Sequence, residues 1–462
     1  MAGIGFEIRK LLKRDDLIGV LQGYTHSAMT ATGPWLLTIL MLTGVVFLGG
    51  RHLQAEDLAE FRLIIVYNFG FSLVLAGPIV MVATRYLADA IYVKQVDDAP
   101  SMLVSYLTLL LGMSAVVVVP FYLFYLDLDR GLAVLSIINF LIIAAIWLIS
   151  AFLSALKDYT AITRAFVAGT GFSLGSAALL SFTSSTTVMM AGFTAGQALI
   201  LFALIARVLV EYPYPIVQPF RHARYFRKYW TLAVSGLVYN IGIWIDKWIT
   251  WTAPQHETLR SGMISYQNYD SAMFLAYLTI VPSLAAFVMT VETDFYEYYL
   301  AYFKSIQNHS SFEHIDRAHD AIVQSTLGGA RTFLVLQGSI CLVMILISPK
   351  VFSIFNINFA QIGMFRIGVL GAFFHVLFLG LSIVLSYFDL RMATLRLQLL
   401  FLATNALFTF VTLKAGVPYY GYGYFLATII TFAAAFLTAA FYLNRLPYQT
   451  FVMSNSSVDA SA

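Results

Sequence analysis

A stripe of polar and aromatic side chains runs along one apolar segment of the sequence, between residues 239 and 251. Asn240, Trp244, Lys247 and Trp251 are spaced so that a helix would carry them on one face, with Asp246 pointing about 100° away. Amide and ammonium donors beside indole rings suit the wall of a cavity that handles a polar substrate. An ion pair between helices, with tryptophans at a membrane surface, explains the same residues equally well.

Polar residues also interrupt other apolar segments, namely Asn68, Ser72, Asn139, His375 and Asn405. Each one alone is explained by hydrogen bonding between helices. Together they predict a mildly polar interior in which Lys247 is the main deep cation. A lipid diphosphate would need several buried Arg or Lys, so this interior favours a neutral glycan. The predicted substrate-pathway residues are Asn68, Asn139, Asn240, Trp244, Asp246, Lys247 and His375.

Two pairs of charged residues follow apolar segments that end on the same predicted side of a membrane. Arg85 and Asp89 follow the first of these segments, and Glu292 and Asp294 follow the second. Opposite charges at one level could meet across the cytoplasmic mouth and form an inward gate. Unrelated charges at the membrane interface are the alternative interpretation.

Glycine and proline interrupt several apolar segments at comparable depths in the two halves of the chain. Because proline removes a backbone donor and kinks a helix, such positions predict hinges near a transporter's binding region. Ordinary helix kinks are the alternative interpretation. The predicted hinge residues are Gly33, Pro34, Gly77, Pro78 and Pro282.

The sequence contains no pattern for catalysis, a cofactor or a metal ion. A phosphate-binding P-loop and a His-Glu-x-x-His motif are both absent. His309, His314 and His319 recur every five residues, which points successive side chains around a helix rather than toward one ion. Asp127 and Asp129 resemble the metal-binding pair of glycosyltransferases, but they lie in a short loop predicted to face outward. We therefore predict no enzymatic activity, no cofactor and no resident metal.

The composition places these residues in a membrane. Of 462 residues, 60% are hydrophobic and 11% are charged, against about 25% charged residues in soluble domains. A net charge of +3 is too small to indicate a nucleic-acid partner. Runs of about 20 apolar residues can span a bilayer. The sequence predicts an all-α polytopic membrane protein with about twelve such spans, near 27–49, 62–84, 101–126, 131–154, 165–182, 187–210, 230–250, 268–290, 328–348, 364–386, 395–415 and 421–443.

The distribution of positive charge predicts the orientation. Of the 27 Lys and Arg residues, 19 fall on the side of the N-terminus, so both termini are predicted to be cytoplasmic. The first residues predict either an amphipathic helix on an anionic lipid surface, or a positively charged segment that sets the orientation without forming a helix. The predicted domains are an N-terminal segment 1–26, a six-helix bundle 27–210, a cytoplasmic linker 211–229, a second six-helix bundle 230–443 with a cytoplasmic loop 291–327, and a cytoplasmic tail 444–462.

Three segments together carry a family resemblance: Met1–Leu12, Tyr239–Trp248 and Glu292–Tyr299. They resemble the PelG family, the inner-membrane transporters of the Pel exopolysaccharide system. The resemblance implies the multidrug, oligosaccharidyl-lipid and polysaccharide exporter superfamily, in which two six-helix bundles surround a central cavity of alternating access. It also implies export of Pel, a galactosaminoglycan-like polymer of the bacterial biofilm matrix. The expected partners are the glycosyltransferase PelF and the membrane proteins PelE and PelD, of which PelD senses cyclic di-GMP.

Two other functions compete with glycan export. An ion-coupled exporter of small molecules would use the same fold and a titratable carboxylate in its cavity, for which Asp246 or Asp270 could serve. A membrane glycosyltransferase would need a cytoplasmic nucleotide-sugar site, and the sequence shows none. Export of a neutral glycan is the function that the sequence favours.

Overall fold

The computed structural model describes residues 36–48, 53–155, 159–180, 185–290, 295–354, 358–359 and 361–453. Within these ranges the chain is almost entirely helical. It forms two compact units, an N-terminal unit of Gly33–Gln267 and a C-terminal unit that includes Asn268–Ala462. The predicted segment 1–26 and the end of the predicted tail lie outside the described residues.

The N-terminal unit contains eight helices and one small β-hairpin among its described residues. Helix α3 continues into a π-helical turn, Phe121–Tyr125, and a 3₁₀ turn, Pro219–Ala223, precedes α7. The helices are α1 (Leu36–Leu48), α2 (Ala55–Tyr92), α3 (Ala99–Pro120), α4 (Arg130–Ala155), α5 (Tyr159–Leu180), α6 (Thr186–Glu211), α7 (Arg224–Lys228) and α8 (Trp230–Thr250). The hairpin pairs β1 (Glu257–Thr258) with β2 (Ile264–Ser265) in antiparallel fashion.

The C-terminal unit continues the helical pattern. Its described helices are α9 (Gln267–Leu278), α10 (Val281–Thr290), α11 (Tyr296–Gln307), α12 (Phe312–Ile354), α13 (Gln361–Tyr387), α14 (Arg391–Ala415), α15 (Tyr422–Asn444) and α16 (Leu446–Tyr448). A 3₁₀ turn, Val417–Tyr419, precedes α15, and a π-helical turn, Gln449–Met453, follows α16.

Helix α12 is much longer than its predicted span, 328–348. It has 43 residues and is therefore about 65 Å long, roughly twice the thickness of a hydrocarbon core. Its first half packs with α11 and with the ends of α13 and α15 around Tyr302, Ile315 and Val384. The Nε2 atom of His319 lies 2.8 Å from the carbonyl oxygen of Leu443. The predicted loop 291–327 is thus largely helical where the structure describes it.

The transmembrane pattern follows the predicted one closely. Within the described ranges, nine helical segments are long and apolar enough to cross a membrane. Helices α1, α5 and α8 occupy the other three predicted positions, at 27–49, 165–182 and 230–250. The protein is a multi-pass membrane protein, and the count of twelve spans stays a prediction.

The predicted division of the chain into two bundles at 211–229 stays a prediction. Helix α8 packs along α2 through the Gly77–Gly236 contact, and the N-terminal unit extends to Gln267. Helix α8 contacts residues that are far away in sequence, so the local composition does not indicate this contact.

Helices α5 and α6 cross at small residues. A Cβ atom on Gly196 would lie 2.7 Å from the carbonyl oxygen of Gly169 and would collide with the Ser173 hydroxyl, whereas Gly171 and Gly175 have open space around them. Lipid tails are as apolar as leucine side chains, so close backbone approach is what holds such helices together. The packing face of α5 is therefore Gly169 and Ser173, about 200° around the helix from Gly171 and Gly175, which have the spacing of a GxxxG pattern.

Two alanine substitutions test this crossing. Gly196→Ala should lower the unfolding free energy by roughly 1–3 kcal/mol, because the added methyl group forces the helices apart. Gly171→Ala is the matched control and should be neutral or stabilising, since Ala exceeds Gly in helix propensity by about 1 kcal/mol. Thermal unfolding of the detergent-purified protein measures both effects, and equal behaviour of the two variants would contradict the assigned packing face.

Candidate functional site

The candidate site is built on the contact between α2 and α8. A Cβ atom on Gly77 would lie 2.7 Å from the carbonyl oxygen of Gly236, and one on Gly236 would lie 2.5 Å from the carbonyl oxygen of Gly77. Only glycine fits at both positions, so the two backbones touch. Helix α2 runs through this point and through Pro78 without interruption.

The predicted stripe of α8 faces α2. The Asn240 side-chain amide donates to the Leu73 carbonyl oxygen at 3.0 Å. The Trp244 ring covers Gly70, where a Cβ atom would lie 3.0 Å from it. The Trp251 ring stacks on Tyr67 with centroids 4.8 Å apart. We call this line of contacts, from Gly236 to Trp251 on α8, the α2–α8 seam.

Aromatic rings close the end of the seam at Trp251. The Trp248 ring stacks on Phe71 at 5.0 Å, and Tyr67 stacks in turn on Phe121. The Tyr67 hydroxyl donates to the carbonyl oxygen of Ile264 at 2.7 Å, which fixes the β-hairpin against α2. The faces of these rings stack on one another. This end of the seam is therefore a packed aromatic contact and does not line an open cavity.

Asp246 and Lys247 form a buried ion pair within α8. The Lys247 ammonium lies 3.0 Å from both carboxylate oxygens of Asp246 and donates to the Ile243 carbonyl oxygen at 3.1 Å. Asp246 is fully buried and Lys247 is 7% exposed. Adjacent side chains on a helix point about 100° apart. The two charges nevertheless meet, because the long and flexible lysine side chain bends toward the Asp246 carboxylate. The pair is neutral as a whole.

A second polar cluster joins α2, α4 and the π-helical turn that follows α3. The Asn68 amide donates to the Asn139 side-chain oxygen at 2.9 Å and to the Ser136 carbonyl oxygen at 3.0 Å. The Tyr122 hydroxyl donates to the Asn68 side-chain oxygen at 2.7 Å. Both donor hydrogens of the Asn68 amide and its oxygen are thereby hydrogen-bonded, and both asparagines are fully buried. The side-chain nitrogen of Asn139 keeps no partner among the described residues.

His375 lies in the C-terminal unit and is buried. Its Nδ1 atom is 2.9 Å from the Tyr424 hydroxyl. The rings of Phe401 and Tyr277 approach it edge-on, with centroids at 5.0 and 5.8 Å. Hydrogen bonding between α13 and α15 accounts for this histidine, and its pathway role stays a prediction.

The predicted cytoplasmic gate is described only in part. Arg85 pairs with Asp89 one turn along α2, at 3.1 Å, and Asp89 also accepts a hydrogen bond from the Tyr229 hydroxyl. Glu292 and Asp294 lie outside the described residues. Arg85 thus has a partner within its own helix, and pairing across the mouth stays a prediction.

The predicted hinges have different surroundings. Gly77 and Pro78 lie inside the continuous helix α2. Pro282 follows a break, because α9 ends at Leu278 and α10 begins at Val281. Gly33 and Pro34 lie outside the described residues. A hinge role for these positions stays a prediction.

Metal chemistry has no support among the described residues, where no three His, Cys, Asp or Glu side chains gather. The carboxylate of Asp129 accepts from the Gly131 backbone amide at 3.0 Å, so it caps the start of α4. Residues that the sequence did not indicate also contribute to the site, among them Tyr67, Gly70, Phe71 and Tyr122. Their roles depend on partners far away in sequence, so no local pattern marks them.

Comparison with known proteins identifies the family. A family model described as "PelG: Putative exopolysaccharide Exporter (EPS-E)" matches residues 1–451. The chain belongs to the PelG family. The family resemblance of the sequence is thereby confirmed, and PelG proteins are exopolysaccharide exporters. No curated protein sequence matches this chain.

Solved transporter structures share the PelG fold. An outward-facing multidrug resistance MATE family transporter of the MOP superfamily aligns with a TM-score of 0.64 at 16% identity, over 91% of this chain and 96% of that one. A MOP superfamily transporter from Pyrococcus furiosus aligns with a TM-score of 0.63 at 14% identity, over 91% and 96%. An inward-facing MATE transporter gives 0.62 at 15% identity, over 90% and 99%. The predicted all-α transporter fold is confirmed.

Removing one member of the buried ion pair should destabilise this PelG-family protein. Lys247→Met leaves the Asp246 carboxylate buried without its counter-ion, which should cost about 3–5 kcal/mol. The double variant Asp246→Asn with Lys247→Met should recover most of that loss. Thermal unfolding in detergent measures both, with Lys414→Met, an exposed lysine on α14, as control. A double variant as unstable as Lys247→Met would show that the pair is not the cause.

Proposed function

We propose that this PelG-family protein moves a Pel-like galactosaminoglycan across the bacterial inner membrane by alternating access or polymer translocation, with both termini in the cytoplasm. The family match over residues 1–451 carries the proposal. The MATE-like fold supports a transporter mechanism and is shared with solved outward-facing and inward-facing structures. The excess of Lys and Arg on the N-terminal side supports the orientation.

The charge of the interior supports a neutral polymer. Among the described residues, Asp246 and Lys247 are the buried members of the Asp, Glu, Lys and Arg set, and they neutralise each other at 3.0 Å. Amides, hydroxyls and aromatic rings make up the rest of the polar interior. Such groups hydrogen-bond and stack on sugars, whereas a lipid diphosphate calls for buried cations that face it.

Within the predicted pathway set, Asn240 and Trp244 are the best placed to meet a polymer. Both are half-buried, whereas Asn68, Asn139, Asp246 and Lys247 are buried and bonded to protein groups. A single hydrogen bond to the Leu73 carbonyl oxygen holds Asn240 against α2. We therefore propose that Asn240 and Trp244 contact the polymer and that the other residues hold the seam in shape.

The partners are part of the same proposal. A polymer synthesised in the cytosol has to reach the membrane protein directly, so a glycosyltransferase of the PelF type is the expected donor, together with PelD and PelE. Helix α11 and the first half of α12 extend beyond the predicted spans. We propose that they form the docking region for these proteins.

Ion-coupled export of small molecules is the second candidate. It requires a carboxylate that exchanges protons or cations, and Asp246 is held in an ion pair by Lys247. Asp270, half-buried on the first turn of α9, is then the remaining candidate. The PelG family match favours polymer export over this alternative.

Deletion of the gene should abolish secretion of Pel-type polysaccharide, and the wild-type gene should restore it. Asn240→Ala should reduce the restored secretion severalfold, because it removes the half-buried amide from the seam. Gln95→Ala removes an exposed amide side chain that follows α2; it is the matched control and should restore secretion fully. The measurement is polysaccharide in the medium and in the cell, normalised to the amount of transporter.

Undiminished secretion in the deletion strain would contradict polymer export. Loss of proton-dependent drug efflux in Asp270→Asn, with secretion retained, would establish the second candidate instead. Equal secretion by Asn240→Ala and the control would leave polymer export standing and remove Asn240 from the pathway.

A further inference from the structure

The segment between α6 and α8 carries a dense, outward-facing positive charge. Arg221, Arg224, Arg227 and Lys228 lie within eight residues and are all exposed. The sequence has no Asp or Glu between Glu211 and Asp246. No carboxylate lies within 4 Å of Arg221, Arg224 or Arg227 in the part of the chain that the structure describes. We call these four side chains the basic linker face.

The opposite side of the same segment is fixed to the N-terminal unit. The Val217 backbone amide donates to the Ser101 hydroxyl at 2.8 Å, and the Tyr106 hydroxyl donates to the His222 carbonyl oxygen at 3.3 Å. His222 is 2% exposed and Tyr229 is 1% exposed. The buried aromatic side anchors the segment, so the cations on its other side are held outward.

Two of the cations rest on tyrosine rings. The Arg224 guanidinium lies 5.3 Å from the Tyr225 ring centroid, and the Lys228 ammonium lies 4.9 Å from that of Tyr229. A hydrogen bond with Tyr229 raises the pKa of Lys228 above that of an ordinary lysine, which is already charged at neutral pH. The face therefore presents a permanent charge in a restricted geometry.

Apolar side chains flank the basic linker face and are also exposed. The exposed fractions are 53% for Ile216, 55% for Val217, 66% for Phe220 and 52% for Trp230. Trp230 begins α8, and the chain leaves α6 at Glu211, so the segment joins two predicted membrane spans at their ends. Cations interleaved with large apolar side chains at this level are typical of segments that lie in the interface of an anionic bilayer.

We propose that the basic linker face binds the headgroups of anionic phospholipids, with Phe220 and its apolar neighbours inserted between the lipids. Each Lys or Arg near such a surface strengthens binding by about 1 kcal/mol, or about fivefold. An acidic partner protein would match the charge but would leave the apolar side chains beside the membrane without a role. The proposal does not depend on the nature of the transported polymer.

Native mass spectrometry of the full-length protein in detergent tests the proposal, with phosphatidylglycerol and phosphatidylcholine as the probes. At low salt the wild type should bind phosphatidylglycerol at least tenfold more tightly than phosphatidylcholine. The triple variant R221Q/R224Q/R227Q should lose most of this preference. The matched control R130Q/K350Q/K414Q removes three exposed cations predicted to lie on the opposite side and should keep it. R221K/R224K/R227K should also keep it, because the charges remain.

Several results would overturn the proposal. They are an unchanged preference in the glutamine variant, an equal loss in the control, and a loss in the lysine variant. If the glutamine variant fails to fold, the wild type is measured at 50 and 500 mM NaCl. Screening should then reduce the preference at least severalfold, and a preference insensitive to salt overturns the proposal. Lipid binding is measured without polysaccharide, so failure here leaves the export proposal untouched.

Discussion

The backbone contact between Gly77 and Gly236 is the constraint on which the polar interior of the N-terminal unit depends. Because neither glycine carries a Cβ atom, α8 approaches α2 closely enough for Asn240 to reach the Leu73 carbonyl oxygen. Trp244 then lies flat over Gly70, and Trp251 reaches Tyr67. A wider separation would leave these polar groups without partners in a medium that offers none. Hydrogen bonding across this seam thus depends on the close packing of the two helices.

The sequence predicts the helices well because the requirement for a span is local. A helix in lipid must be long and apolar, and both properties are read directly from composition. Helix α12 exceeds its predicted span because its first half is amphipathic and packs on Tyr302 and Val384 outside that span. Helix α5 shows the limit of a motif, since Gly171 and Gly175 face open space while Gly169 makes the contact. Glycine spacing identifies a possible face, and the neighbouring helix decides which face is used.

The sequence predicts which residues of α8 share one face of the helix, but it does not predict which helix that face contacts. Spacing places Asn240 and Trp244 together on α8, and nothing in the spacing indicates α2 as their neighbour. Likewise, spacing separates Asp246 from Lys247, whereas the length of the lysine stem brings their charges to 3.0 Å. The pairing of Asn68 with Tyr122 joins residues 54 positions apart. Such pairs become visible only when the fold is known.

The length of α12 has a mechanical consequence. Its first half is fixed to the end of α15 by His319, and its second half crosses the predicted bilayer without a break at residue 328. A continuous helix resists bending over this distance, so its two halves move together. A displacement of the half that packs on α11 and α15 would therefore tilt the half in the predicted bilayer, and the stiffness of the helix alone would couple the two.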